Sequence, residues 1–458
     1  MSFTPSDCAL ALASALASMS FGVAAHEADG VLQSDARQAQ PATLSAEPLV
    51  PPPTGVMADS SLQLVLRNYA DFLSINGVGT LHGWVQGAQA NFISGFSGGE
   101  IGLGVDASLF GAIKLDGGRG VGDMVHLSRS GGGENRTGWA YLGGYAVKAR
   151  FGKTVVKYGL QQMENPFLES KDNRALPPTF RGVAAVSELA EGMTFEAGSF
   201  DAVSARGRTG VQALSSAYGG TPIERLSYMG TNAVLGSSRV LLYVAQARNV
   251  WKQLYASARH SVGTVESTKW TATATMYRTR DQGASLQGPI DGKAYSLALA
   301  AQQGASEVAL SFQHVMGDQY LDYVQEANGL YLANGMVADY NAPREKSVQL
   351  RYLAGGADFG VPGMDVLFWG IAGRSKAPAT LFAPVPEASW RDAYWRGGKP
   401  VHGAHHELGI KTSYAFNWGE VRGINIAFIA LVHRGSAHYV EPSEREYRLT
   451  VNVPIKLF

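Results

Sequence analysis

From Ser60 to Phe458 apolar and polar residues alternate with period two, over and over. Ile101, Leu103, Val105, Ala107 and Leu109 share one face, with Gly102, Gly104, Asp106 and Ser108 on the other. Tyr145, Val147, Ala149 and Phe151 stand opposite Ala146, Lys148 and Arg150. Val308, Leu310 and Phe312 alternate with Glu307, Ala309, Ser311 and Gln313. At the end, Leu449, Val451, Val453, Ile455 and Leu457 oppose Arg448, Thr450, Asn452, Pro454 and Lys456. A helix would scatter these apolar residues around a cylinder, whereas a strand gathers them on one face. The pattern predicts an all-β chain of about eighteen strands, the first over residues 62–69 and the last over 445–458.

The connections separate a barrel from a sandwich. Tight ones fall at Gly152-Lys153, Ala190-Glu191, Gly236-Ser237 and Asn417-Trp418. Long ones fall near 116–142, 161–179, 204–224, 316–344 and 375–403. Short and long segregate by parity, as they do where periplasmic turns are brief and extracellular loops extended. The short connection at Asn249-Val250 lies on the long side. Tyr69, Trp84, Tyr141, Tyr145, Trp251, Trp369, Trp418 and Tyr447 fall near strand ends, where interfacial aromatic girdles are expected. The fold class is therefore a transmembrane antiparallel β-barrel.

Composition sharpens this. Only 17% of the 458 residues are charged, below the roughly 25% of soluble domains. No window reaches the ~18 apolar residues of a membrane-spanning helix, so the backbone must be satisfied between strands of a closed sheet. The formal net charge is zero, which leaves no electrostatic footprint for nucleic acid. Residues 9–25 form an apolar run ending in Val23-Ala24-Ala25, so residues 1–25 read as a signal peptide, although no Lys or Arg precedes Arg37. Cys8, the single cysteine, would leave with it. Residues 26–58 read as a flexible periplasmic tail, extended at Pro51–Pro53, and 59–458 as the barrel. The expected destination is the Gram-negative outer membrane, reached through the periplasm.

Side chains facing the lumen set what passes. On the alternation the inward set includes Arg67, Gln86, Glu100, Asp106, Lys148, Arg150, Lys157, Glu196, Gln349, Arg351, Lys411 and Arg448. Its basic members sit on two groups of strands near the chain's ends, which become neighbours when a barrel closes.

Several segments carry a family resemblance: ADSSLQLVLRNY (58–69), GWVQGAQANFISGFSGGEIGLGVDA (83–107), GAIKLDGGRG (111–120), VKARFGKTVVKYG (147–159) and RALPPTFRG (174–182). PREKSVQLRY (343–352), GVPGMDV (360–366) and the terminal RLTVNVPIKLF (448–458) continue it. The chain resembles the OprD porin family. The resemblance implies an eighteen-stranded monomeric barrel whose third extracellular loop folds inward to form a narrow eyelet. It implies passive, selective diffusion of small polar solutes, such as amino acids and small carboxylates, into the periplasm. It also implies a basic track, here Arg67, Lys148, Arg150, Lys157, Arg351, Lys411 and Arg448, and a constriction loop carrying Glu169, Asp172 and Arg174. Tyr158, on the strand feeding that loop, points outward by phase. At positions where the family carries further inward arginines, this chain has Trp369, Leu408, Ala427 and Ile429, so the basic ladder is reduced. The terminal apolar set is displaced by one residue from the general barrel signal, as in the proline-containing endings of OprD-type porins.

Other chemistry is thin. His402, His405, His406 and Glu407 cluster without the spacing of a dedicated metal site and read as solvated. Gly131–Gly133 lacks the Lys-Ser/Thr of a phosphate loop. No Gly-x-Ser-x-Gly elbow is present. No cofactor, metal or catalytic activity is expected. The expected partners are small polar solutes, outer-membrane lipids, lipopolysaccharide and the barrel-assembly machinery. Two readings compete with the porin: a plugged structural or adhesive barrel, and a barrel hydrolase.

Overall fold

A computed structural model describes residues 55–77, 79–116, 137–376, 395–396, 399–400, 402–439 and 442–458. The expected signal peptide, most of the expected tail and the Gly131–Gly133 run lie outside these residues. The wall begins with β1 (Ser61–Ile75), β2 (Gly79–Ile93), β3 (Ile101–Lys114), β4 (Gly138–Phe151) and β5 (Thr154–Gln161). It continues with β6 (Thr179–Ala190), β7 (Met193–Ser204), β10 (Leu226–Leu235), β11 (Ser238–Ala247), β12 (Trp251–Val262) and β13 (Lys269–Asp281). It ends with β14 (Asp291–Gln303), β15 (Ser306–Met316), β16 (Lys346–Gly355), β17 (Met364–Lys376), β20 (His402–Ala415), β21 (Asn425–Gly435) and β22 (Glu444–Lys456). The short β8 (Gln212–Ser215) and β9 (Pro222–Ile223) form a ribbon inside one loop, and β18 (Trp395–Arg396) pairs with β19 (Lys399–Pro400) in another. Wall strands pair antiparallel with their neighbours, and β1 closes on β22 from Gln63↔Lys456 to Ile75↔Glu444. The wall is a closed barrel of eighteen strands.

Closure explains the sequence pattern. Ile101, Leu103, Val105, Val147, Leu350 and Leu408 are exposed on the outer wall, while their strand neighbours turn inward. Lipid satisfies those apolar side chains, and interstrand bonds satisfy the backbone. Residues 55–58 lie against the inner-side turn, where the Gly95 N–H donates to the Val56 carbonyl at 2.8 Å.

Several expectations change. β1 runs on to Ile75 because Asp71 keeps the inward phase, so the first outer connection, 76–78, is as short as 248–250. Gln86 faces outward, where it accepts from Asn68 at 3.1 Å, because Val85 takes the buried inward position. Glu100 is exposed in the 94–100 turn and belongs to no strand. Tyr69, Trp251 and Trp369 are buried inside the barrel rather than in a girdle, and Tyr141 packs against inward Phe110. Trp84, Tyr145 and Tyr447 do face outward, and Trp418 is exposed in the 416–424 turn. Leu408 is also lipid-facing, 61% exposed, so it replaces no lumenal arginine.

Candidate functional site

β1 turns Arg67, Tyr69 and Asp71 inward at successive i, i+2, i+4 positions. Across the closing seam, β22 sets Asn452 opposite Arg67 and Arg448 opposite Asp71, with Glu446 two residues farther on. The third outer connection, 162–178, meets them. Arg67 grips Asp172 through both guanidinium nitrogens at 2.6 and 3.0 Å, and donates to the Arg174 carbonyl at 2.8 Å. Its Nε donates to Asn452 at 2.7 Å. Arg174 donates to the Tyr69 hydroxyl at 2.8 Å, and that hydroxyl donates to Asp71 at 2.7 Å. Arg174 also stands 3.6 Å from Asp71 and 3.8 Å from Glu446, which Arg448 holds from the other side. Arg67, Arg174 and Arg448 are thus matched against Asp71, Asp172 and Glu446. Gly87 makes room for the loop, since a Cβ there would sit 2.5 Å from the Ala175 carbonyl.

A second cluster lies toward the inner ends of β3, β4 and β5. Lys148 and Lys157 share Asp106 at 2.7 and 2.6 Å, and Lys148 also donates to the Ser94 carbonyl at 2.6 Å. Arg150 and Lys148 lie over the Phe96 ring at 5.3 and 5.0 Å. Arg351 and Lys411 face inward on β16 and β20, the strands flanking Trp369 on β17. The Glu169 carbonyl accepts from the Asn328 amide at 2.8 Å, next to the Ser170↔Ala327 bridge. Tyr158 faces outward, 60% exposed.

Beside the seam, β17 and β21 carry an apolar patch, with Ile429 directly opposite Arg448. Trp369, Ile371, Ile429 and Leu431 pack on Met336, Ala338 and Tyr340 of the outer connection 317–345. Glu407 pins that connection by accepting from the Trp369 indole at 2.6 Å and from the Ala338 and Val337 amides at 2.7 and 3.3 Å. Three N–H donors around one carboxylate make a strong buried anchor. A Cβ on Gly409 would lie 2.0 Å from the Trp369 ring. Gly409→Val should therefore push the indole off Glu407 and cost roughly 1–3 kcal/mol. A lower temperature for loss of the folded-barrel band on unheated gels checks this, and unchanged mobility counts against it.

Sequence reasoning missed Asp71, Glu446 and Lys171. Lys171 stands between Glu169 and Asp172 in the same polar run, which was its only signal. It is half-buried and borders a pocket shared with Gln313, Asn328, Asn334 and Asp339. Among the described residues its ammonium has no hydrogen-bond partner; burial, reinforced by Arg206, pushes its pKa down to about 8. His405 and Glu407 turn inward and are buried, while His402 and His406 are exposed on the opposite face, so strand parity divides the histidine cluster. Among the described residues no histidine–acid group could hold a metal.

Residues 54–457 match the family described as outer membrane porin, OprD family. The chain belongs to the OprD porin family. It is similar to Porin D of Pseudomonas aeruginosa, at 29% identity over 88% of this chain and 92% of the relative. It is also similar to the porin-like protein GalP of Pseudomonas putida, at 27% over 68% and 78%. Among solved structures, OccD3 (OpdP) of Pseudomonas aeruginosa superposes with a TM-score of 0.78 and 30% identity, over 89% of this chain and 93% of that one. OpdK of the same species, crystallised with vanillate, superposes at 0.78 with 25% identity, over 88% and 100%. This OprD-family porin is thus an outer-membrane channel protein, and its relatives are porins.

The loops of this porin interlock above the arginine cluster. Arg206 ties the 205–225 connection to Glu326 at 2.7 Å and also donates to Asn173. Asp322 gathers the Tyr218 and Gly219 amides at 3.0 and 3.3 Å and Gln287 at 2.7 Å. Burial pushes the Asp322 carboxyl up.

Proposed function

We propose that this porin passes small zwitterionic or carboxylate-bearing solutes, amino acids among them, by passive diffusion, with the 162–178 connection as its constriction. The observation that carries the reading is Lys171 beside Asp339 in one small polar pocket. A solute carboxylate would face the lysine and an ammonium would face the aspartate. The Asp339 carboxylate is already fixed by the Tyr218 and Tyr323 hydroxyls, each at 2.7 Å. Asp172 and Arg174 would form the rim, with Glu169 bracing the loop from behind. Arg67, Lys148, Arg150, Lys157, Arg351, Lys411 and Arg448 would line the descent. Most of these cations have carboxylate partners, so they would orient a solute by their field rather than bind it tightly. The vanillate in OpdK is consistent with carboxylates as a class.

Two measurements test the reading. Lys171 carries charge below about 8 and loses it above. Anion preference, read from reversal potentials in asymmetric KCl, should therefore fall as pH rises through about 8 and should be weak at every pH in Lys171→Gln. Selectivity that ignores both pH and the substitution would sink the proposal. Solute uptake in a deletion strain, with and without the gene, identifies the substrate. The interlocked loops favour one rival, a plugged barrel, and purified protein that carries no current in planar bilayers would establish it.

A further inference from the structure

The outer wall carries a cationic stripe that solute passage does not use. At the outer ends of five strands the lipid-facing positions hold Lys346, Arg374, His406, Arg434 and Arg445, all exposed. Register joins them into one run. Lys346 lies directly opposite Arg374, and His406 directly opposite Arg434. Arg374 pairs with Ala404, two residues from His406, and Arg445 pairs with Val432, two residues from Arg434. Direct neighbours in such a sheet stand about 4.5–5.5 Å apart at Cβ and diagonal ones about 7–8 Å, so the five positions form one contiguous run across five strands.

Among the described residues none of these five has a carboxylate partner. Elsewhere on the outer rim Arg278 is paired with Asp291 and Arg181 with Asp201. Like charges set directly opposite each other across a sheet are destabilising. The stripe therefore offers a site to an anion from outside the chain. Just below it the same strands expose Leu350, Phe368, Leu408 and Phe428. A free phosphate answers the charge but gains nothing from that apolar wall. An amphiphile with phosphates at its head and acyl chains beneath answers both.

We propose that the stripe binds the phosphorylated headgroup of an outer-leaflet lipid, whose acyl chains lie along the wall of β16, β17, β20 and β21. Basic side chains at a membrane surface attract anionic headgroups additively, each by a modest amount. The stripe points away from the lumen, so its occupation leaves the channel lining untouched.

The full-length protein, purified in a non-ionic detergent, is titrated with diphosphoryl lipid A, with the same lipid after enzymatic dephosphorylation, and with inorganic pyrophosphate; bound lipid is read by native mass spectrometry. Diphosphoryl lipid A should bind more tightly than the dephosphorylated form by about tenfold or more. The quadruple variant K346Q/R374Q/R434Q/R445Q should lose that margin while keeping wild-type conductance. Equal affinity for the two lipid forms, or a quadruple variant that binds as wild type does, overturns the proposal. So does displacement of the lipid by equimolar pyrophosphate, which would mark an anion site with no lipid component. Should the quadruple variant not yield a folded-barrel band, the wild-type comparison and single Arg374→Gln, directly opposite Lys346, decide on the same criterion.

Discussion

Arg67→Ala should raise single-channel conductance severalfold and blunt selectivity, while the barrel still folds. Arg67 is 4% exposed, and three of its hydrogen bonds hold the 162–178 connection through Asp172 and the Arg174 carbonyl. Alanine leaves the Asp172 carboxylate facing Asn452 with no cation between them. Removing one partner of a buried pair costs about 3–5 kcal/mol, and because Asp172 is 27% exposed the low end, about 3, applies. That cost falls on the loop rather than the wall, whose interstrand bonds do not involve these side chains. The loop should detach at its rim while Arg174 and the buried Leu176 still hold its base. Arg67→Lys should be intermediate, since an ammonium cannot span Asp172, Asn452 and the Arg174 carbonyl with the fixed fork of a guanidinium. Asp172→Asn should act in the same direction, and the double variant R67A/D172A should be less than additive because the two residues share one interaction. Planar-bilayer recordings decide it: unchanged conductance in Arg67→Ala would mean that the narrowest point lies elsewhere.

What the sequence made legible follows one physical rule, and its failures follow from where that rule stops. Lipid on one side and water on the other impose strict parity, so Arg67, Lys148, Lys157 and Arg448 could be placed inward by alternation alone. Parity fails wherever loops fill the lumen, because an inward residue then meets protein instead of water. Val85 and Trp369 are apolar yet inward, since the 162–178 and 317–345 connections cover them. The same burial drew Gln86 into the wrong phase and made buried aromatics resemble a girdle. Asp71 was missed because a polar residue after Tyr69 resembled the end of a strand. The loop partners were beyond reach altogether. Glu345 and His405 are far apart in the chain, and no periodicity links a loop residue to the wall it touches.

Glu345→Gln should abolish a pH dependence of loop closure that the wild-type protein shows, while Glu345→Ala should open the loops at every pH. The reason is a proton count. His433 Nδ1 lies 3.0 Å from the Pro442 carbonyl, which can only accept, so that nitrogen carries a proton. His433 Nε2 meets His405 Nδ1 at 2.9 Å, and His405 Nε2 meets Glu345 Oε1 at 2.6 Å. Three contacts need three protons. Two neutral imidazoles supply two, and the third is on the carboxyl. Burial pushes the Glu345 carboxyl up to about 8, which favours the protonated acid. Its other oxygen accepts from the Ala342 amide at 2.9 Å and from the Tyr439 hydroxyl at 3.2 Å. Tyr340 and Tyr439 stack on the two faces of His405 at 4.1 and 3.9 Å, which joins the 317–345 and 436–443 connections. The other ionisable groups around the chain of contacts are Asp339, Glu407, Glu444 opposite His433, and the outward His406. An unfolded carboxyl ionises near 4.5, so the extra hold on the closed loops is complete below that value and is lost as pH rises through about 8. Glutamine reproduces the protonated acid, with an N–H for His405 and an oxygen for Ala342 and Tyr439, and it cannot ionise. Hydrogen exchange in residues 333–345 and 436–439 should therefore accelerate between pH 7 and 9 in the wild type, beyond the intrinsic chemistry, and stay flat in Glu345→Gln. The same acceleration in both proteins would place the titrating proton on another group.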